Sequence, residues 1–534
     1  MESRTAFLKY PLAVLLPVIL GAQTPSPSVK PGTVEGTVTN SVNGEPVRKA
    51  TVRLDGGERN YQTATDVAGH FEFDRVNPGS YLVRAFRDGF ADSNNNRRPQ
   101  SIAVAEAQNL KDIKVTMDPM AHVSGHVLDE DGDPIMLASV QALRCGFVRG
   151  HTHLSQAGFA SSNDLGEFQF LNLIPGRYYF LASAQRRAPY LPPRTRFSGQ
   201  QMAFPPTYYP EAPDPTQATV SDVAPGAEIS NINFHLHKVP TFHLRGKVVD
   251  QAGQPRSANL NLYREHVGLP FPPSIAADGS FDLPVVPGSY YLTARSDNLT
   301  AHDTFTVSDQ DINGVVIALS AGLTISGRFT VEGTAPQING QVLLQNVQGL
   351  AGVDSNGQVQ QDGTFVIHNA WPGSYFIDVF NGTPGLYVKS IHFGDADVSN
   401  GLLALSQENT SALNIALGSD GGQVQGVAQK SAGEPSGNIT VTLAPAADLP
   451  GRNDLIKQAR TDANGNFHFQ DVAPGEYQVF AWEDFDMDVV ESADFRKALS
   501  SHAASVSIAP NGHESVQVQW ITAEEADAEK NKLP

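Results

Sequence analysis

The sequence predicts an all-β protein, a tandem array of five antiparallel β-sandwiches. Three observations carry that expectation. One phrase, "DVAGHFEFDRVNPGSYLVRAF" from Asp66, returns as "NDLGEFQFLNLIPGRYYFLAS" from Asn163, "AADGSFDLPVVPGSYYLTA" from Ala276, "QQDGTFVIHNAWPGSYFIDVF" from Gln360 and "DANGNFHFQDVAPGEYQVFAW" from Asp462. The Pro-Gly pairs begin at Pro78, Pro175, Pro287, Pro372 and Pro474, between 85 and 112 residues apart. That spacing exceeds the roughly 20–50 residues of a solenoid or propeller unit and suits whole small domains. Finally, every segment around the phrase alternates apolar and polar residues, the period of a half-buried strand.

Taken in order, each copy opens on a strand that carries a glycine: Gly36 in "VEGTVTN", Gly125 in "VSGHVLD", Gly246 in "LRGKVVD", Gly327 in "ISGRFTV" and Gly426 in "VQGVAQK". In the middle phrase Phe71 and Phe73 share one strand face, and Tyr81, Val83 and Ala85 share a face of the next. The Pro-Gly between them suits a type II turn, which predicts a hairpin. The glycine of D-x-x-G-x-F is expected at positive φ. Ala276 and Gln360 replace the aspartate in copies three and four and weaken the turn signal there. A closing alternating strand follows in each copy, such as "LKDIKVTM" from Leu110 and "ESVQVQWI" from Glu514.

The order G-x-V, D-x-x-G-x-F and PG-x-Y resembles the carboxypeptidase regulatory-like domain, with collagen-adhesin B-type repeats close in pattern. The resemblance covers nearly all of residues 33–524. It implies transthyretin-like, carbohydrate-binding-like sandwiches at 33–118, 119–238, 239–319, 320–417 and 418–524. The remaining divisions are a signal peptide at 1–22, a linker at 23–32 and an acidic tail at 525–534. An "AWED" phrase at 481–484 leads into a short helix expected near 492–501.

The 534 residues carry 37 Lys plus Arg against 56 Asp plus Glu, a formal charge of −19. Nucleic acid held through phosphate contacts is therefore not an expected partner. Arg4 and Lys9 before the apolar run Pro11–Leu20, with Gly21 and Ala22 after it, read as a secretory signal. That run is too short to span a bilayer, and no later segment qualifies. The expected location is periplasmic, cell-surface or secreted. Cys145 is the sole cysteine, so no intrachain disulfide supports the sandwiches.

A zinc peptidase needs H-x-x-E or H-E-x-x-H with a general base, and neither pattern occurs. Nor do G-x-S-x-G or a P-loop. His151 with His153, and His235 with His237, would share strand faces, but no third ligand stands at a recognisable spacing. No metal or cofactor is expected. The acidic run Asp129–Pro134 lies where every copy turns and reads as a solvated turn. Tyr81, Tyr178, Tyr290, Tyr375 and Tyr477 recur at one position and read as core or corner residues, while Tyr179 and Tyr291 alternate to the opposite face, better placed to meet solvent.

The longest departure from the common module is the Pro-, Arg- and Tyr-rich insertion 185–215. Arg186, Arg187, Arg194 and Arg196, interleaved with Tyr190, Tyr208 and Tyr209, form the candidate ligand-binding set, suited to stacking sugars and pairing with anions. The ordinary alternative is an insertion that packs on its neighbours. The function expected is a non-catalytic exported binding or scaffold protein for carbohydrate or another envelope component. Two alternatives remain, an accessory subunit of a hydrolase such as a peptidase and a soluble partner of outer-membrane transport.

Overall fold

The computed structural model describes residues 30–56, 59–91, 100–184, 202–264, 267–268, 275–331, 338–347, 354–408, 411–430, 433–435, 437, 439–483 and 486–533. By contacts the chain divides into two compact units, one holding the first sandwich and the other residues 117–534 together with two short stretches before them. In the first unit, strands 70–76, 32–40 and 109–117 make one sheet, and 61–64, 51–56, 79–86 and 100–104 make the other. Between them lie Phe71, Phe73, Tyr81, Val83 and Ala85, all buried.

The second unit repeats this plan. The glycine-bearing strands Ala121–Asp129, Phe242–Val249, Leu323–Val331 and Gly422–Gln429 each pair antiparallel with the phenylalanine strand and parallel with a closing strand. The sandwiches are thus of mixed strand direction, because each closing strand returns from the opposite sheet. In the last sandwich the closing strand His513–Ile521 also pairs with Ala481 and Trp482, joining both layers into one seven-stranded sheet.

The opening glycine has a steric cause. Gly36, Gly125, Gly246, Gly327 and Gly426 stand directly opposite Phe71, Phe168, Phe281, Phe365 and Phe467. A Cβ on Gly327 would lie 2.2 Å from the Phe365 ring and 2.3 Å from the Leu413 carbonyl oxygen. The ring fills the space a side chain would take, and the closing strand presses on the same spot.

The D-x-x-G-x-F glycines Gly69, Gly166, Gly279, Gly363 and Gly465 have φ of 72–81°. Asp66 Oδ1 accepts from the amides of Ala68 and His70 at 2.8 and 2.9 Å, and Asn163 and Asp462 do the same in their copies. Where Ala276 and Gln360 lack that carboxylate, Asp278 and Asp362 take over from two positions later. Each accepts from the backbone and hydroxyl of Ser280 or Thr364. The turn keeps its backbone bond, Gly279 N to Ala276 O at 2.9 Å.

The Pro-Gly pair departs from the expected hairpin. The strand before it and the strand after it lie in facing sheets in the first four sandwiches, so the pair is an arch from one layer to the other. Its glycines have φ of 153–159°, far from the roughly +80° that a type II turn requires. The recurrent tyrosine ties the arch down: Tyr81, Tyr178 and Tyr290 donate to the carbonyls of Asn77, Ile174 and Val286, four residues back, at 2.6–2.9 Å. Alternation alone does not distinguish a hairpin from an arch, since both bury one face of each strand.

Helix Ala493–Ala498 falls in the expected place, preceded by Met487–Val490. The helix Ala523–Lys530, opened by a capping box between Thr522 and Glu525, runs into the acidic tail expected at 525–534.

Candidate binding cleft and the junctions that frame it

Strands Ser139–Val148 and His151–Ser161 of sandwich 2 turn through Arg149 and Gly150, at φ of 53° and 73°. Positive φ at both central residues is the twist a two-residue hairpin needs. The tip docks on two other sandwiches. Gly150 N donates to Asp488 O at 2.9 Å, and a Cβ there would lie 2.4 Å from Ser492 backbone, so only glycine fits.

The Arg149 guanidinium pairs through Nη2 with Asp378 Oδ2, donates through Nε to Gln345 Oε1 at 2.5 Å and stacks 4.8 Å over the Phe376 ring. Its Nη1 is buried and has no partner among the described residues. Burial pushes the Arg149 pKa down, opposed by Glu491 and Asp354, and burial pushes the Glu491 carboxyl up.

The "AWED" segment builds the receptor for this tip. Trp482 stacks between Phe480 and Phe495, at 5.4 and 5.8 Å, and donates Nε1–H to Thr442 Oγ1. Buried Arg496 closes the helical turn by donating to the carbonyls of Val490 and Glu491, both at 2.8 Å. Phe147 of the docking strand packs against this apolar cluster.

Sandwiches 4 and 5 meet through Arg452, 5% exposed. It holds Asp454 with two nitrogens at 2.8 and 2.9 Å and donates to the carbonyls of Ser399 and Val388 across the junction. Gly385 N donates to Asp471 Oδ2 at 3.1 Å. Beside this clamp lies a cleft of about 350 Å³, walled by Phe380, Asn381, Leu386 and Tyr387 on one side and Asp454, Leu455, Lys457 and Asp471 on the other. Lys457 Nζ donates to Gln470 O at 3.0 Å, and burial lowers its pKa against the opposing pull of Asp471 and Asp454.

Of the candidate set in the insertion, Arg186, Arg187, Tyr190, Arg194 and Arg196 lie outside the described residues. Tyr208 is 3% exposed, pairs with Leu181 across the sheet and packs edge-on against Tyr179. Tyr209 packs edge-on against Phe234 in the core of sandwich 2. The buried Tyr208 ring is not presented for stacking, while Tyr209 is half-buried. Thr207–Tyr208 adds a short strand beside Leu181 and Ala182 at the edge of that sheet. Tyr179 and Tyr291, expected to meet solvent, are also packing residues: Tyr291 lies against Tyr263 and His302 with its hydroxyl buried.

His151 and His153 are exposed, while His235 and His237 both face Glu211, at 3.1 and 3.9 Å. Among the described residues no group of three or more His, Cys, Asp or Glu side chains is placed to hold a metal ion. Asp129 spends its carboxylate on the amides of Asp131 and Asp133 and on Lys238, which makes the acidic run a turn. Among the described residues no helix is long and apolar enough to cross a membrane. Arg149, Arg452, Phe380 and Lys457 were not singled out by the sequence; Phe380 stands where Phe86 stands in the first copy, and nothing in the repeated phrase marks it as facing a cleft.

Residues 33–118 match the family model of the carboxypeptidase regulatory-like domain, and residues 420–493 match that of the BOS complex subunit NOMO1-like second beta sandwich domain. No curated protein matches the chain. Solved structures similar to it include the Bacillus anthracis TIE protein, at 10% identity over 94% of this chain and 76% of that one, TM-score 0.15. BcpA, the major pilin subunit of Bacillus cereus, is similar at 10% identity over 52% and 99%, TM-score 0.14. GBS52, the minor pilin of Streptococcus agalactiae, is similar at 15% identity over 39% and 97%, TM-score 0.22. The chain is a β-sandwich repeat protein with one segment, residues 33–118, similar to the carboxypeptidase regulatory-like domain and another, residues 420–493, similar to the NOMO1-like second beta sandwich domain.

Proposed function

We propose that this chain is a non-catalytic binding scaffold that works outside the cytoplasm on carbohydrate or another component of the cell envelope. The observation that supports the reading most is the interlock of sandwiches 2, 4 and 5 by Arg149 and Gly150, with Arg452 fixing 4 against 5. Residues that recur in every copy are spent on packing, whereas the residues that differ between copies build the junctions. That division of labour suits a rigid presenting surface better than repeated independent active sites.

The test is sedimentation of residues 23–534 with isolated cell envelopes and insoluble polysaccharides, alongside assays for released reducing ends and free amino groups. Cosedimentation without product is the expected result. Product release that a chelator abolishes would replace this reading with that of a hydrolase subunit. The insertion arginines are tested in the same assay: Arg194→Ser with Arg196→Ser weakens cosedimentation if that segment contributes to binding.

A further inference from the structure

We propose, building on the binding reading above, that the cleft between sandwiches 4 and 5 takes an uncharged saccharide unit. Three features choose this ligand class. Phe380 stands at the cleft as a large apolar ring with 57% of its surface exposed. Such a ring at a polar cleft is a platform for the C–H face of a sugar. Next, a donor and an acceptor lie on the same wall. Lys457 has one bond, to Gln470 O, and keeps two N–H groups, while Asp471 has given only Oδ2, to Gly385 N. A sugar hydroxyl accepts and donates at once, so neighbouring hydroxyls satisfy an ammonium and a carboxylate together.

The third feature is charge. The charged groups of the lining are Asp454, Lys457 and Asp471; Asp454 is neutralised by the two-pronged Arg452 standing outside the lining, and Asp471 offsets Lys457, so no lining charge is left without a counter-charge. An anion would face two carboxylates, and a cation would face Lys457 and two carboxylates already balanced by Arg452 and Lys457. An uncharged polyol meets neither penalty. The volume, about 350 Å³, is at the small end of the roughly 300–1,000 Å³ typical of ligand clefts, which favours a chain end over a long polysaccharide track. Both walls are backed by the Arg452 clamp, so the cleft is formed before a ligand arrives.

The experiment is calorimetric titration of residues 23–534 with cellotetraose, chitotetraose and mannotetraose, repeated on Phe380→Ala, Lys457→Gln and Asp471→Asn. Asn tolerates the φ of 52° at position 471, and Phe380 is exposed, so these variants are expected to keep the fold; their thermal transitions check it. Binding of at least one tetrasaccharide, weakened about tenfold or more in Phe380→Ala and in Asp471→Asn, is the expected result. Binding that survives all three substitutions overturns the cleft and leaves the saccharide reading standing elsewhere on the chain. Envelopes bound in the sedimentation assay with no tetrasaccharide taken up overturns the cleft proposal and identifies a non-saccharide partner. No binding to envelopes or sugars overturns both readings.

Discussion

The Arg149 guanidinium and the Asp378 carboxylate form a buried ion pair between sandwiches 2 and 4, with side chains only 10% and 11% exposed. Removing one partner leaves the other charged group buried and unpaired, a loss of about 3–5 kcal/mol in typical cases. Asp378→Ala is therefore expected to lower stability by that order. Arg149→Met with Asp378→Leu, which removes both charges, is expected to cost less. Denaturant unfolding followed by Trp482 fluorescence checks the order of the two effects, and a double variant worse than the single would contradict it.

The opening glycine admits no Cβ. Gly327→Ala is expected to destabilise sandwich 4 by about 1–3 kcal/mol, because the Phe365 ring and the Leu413 carbonyl must both move. Gly327→Ala with Phe365→Leu should recover part of that loss, and hydrogen exchange of the 323–331 amides measures it. No recovery would show that the Leu413 carbonyl alone sets the limit.

Gly69→Val combines a φ of 72° with a Cβ 2.5 Å from the Val38 carbonyl oxygen. Loss of exchange protection confined to residues 32–117 is the expected outcome. Loss spread across all five sandwiches would contradict folding of the first as its own unit.

Burial pushes the hydroxyls of Tyr290, Tyr375 and Tyr477 up to about 12. A phenol whose folded pKa is above its unfolded value of roughly 10 contributes stability that is complete below pH 10 and is lost as pH rises towards 12. Alkaline unfolding between pH 10 and 12, tracked by tyrosinate absorbance and circular dichroism together, is expected. Tyr290→Phe, which loses the bond to Val286 O, should also lower stability near neutral pH by about 1 kcal/mol. Tyrosines that ionise near pH 10 with the fold intact would contradict the corner assignment.

The recurring residues made the module legible from sequence. Phe71, Tyr81 and Gly69 repeat because each copy buries the same rings and turns at the same positive φ, and in the first three the tyrosine ties the arch through the same bond. The arch itself was misread as a hairpin, because period-two alternation reports which face is buried and not which sheet a strand joins. The junction residues were silent for a different reason. Arg149 and Arg452 occur once each, and their partners Asp378, Ser399 and Val388 lie more than 50 residues away, so no local pattern announces them. The inward turn of Tyr208 likewise depends on Leu181 and Tyr179 across the sheet, a relation that composition hides.

Amide exchange at Gly150 tests the interlocked scaffold most directly, since its N–H reaches Asp488 O only when the sandwich 2 hairpin is docked. Strong protection at Gly150 is expected in the intact chain. In Asp378→Ala, protection should fall together at Gly150 and across residues 487–499, while the sandwich 2 core around Phe180 stays protected. A Gly150 amide that exchanges at the rate of a free hairpin tip, with residues 487–499 unchanged by the substitution, would contradict it.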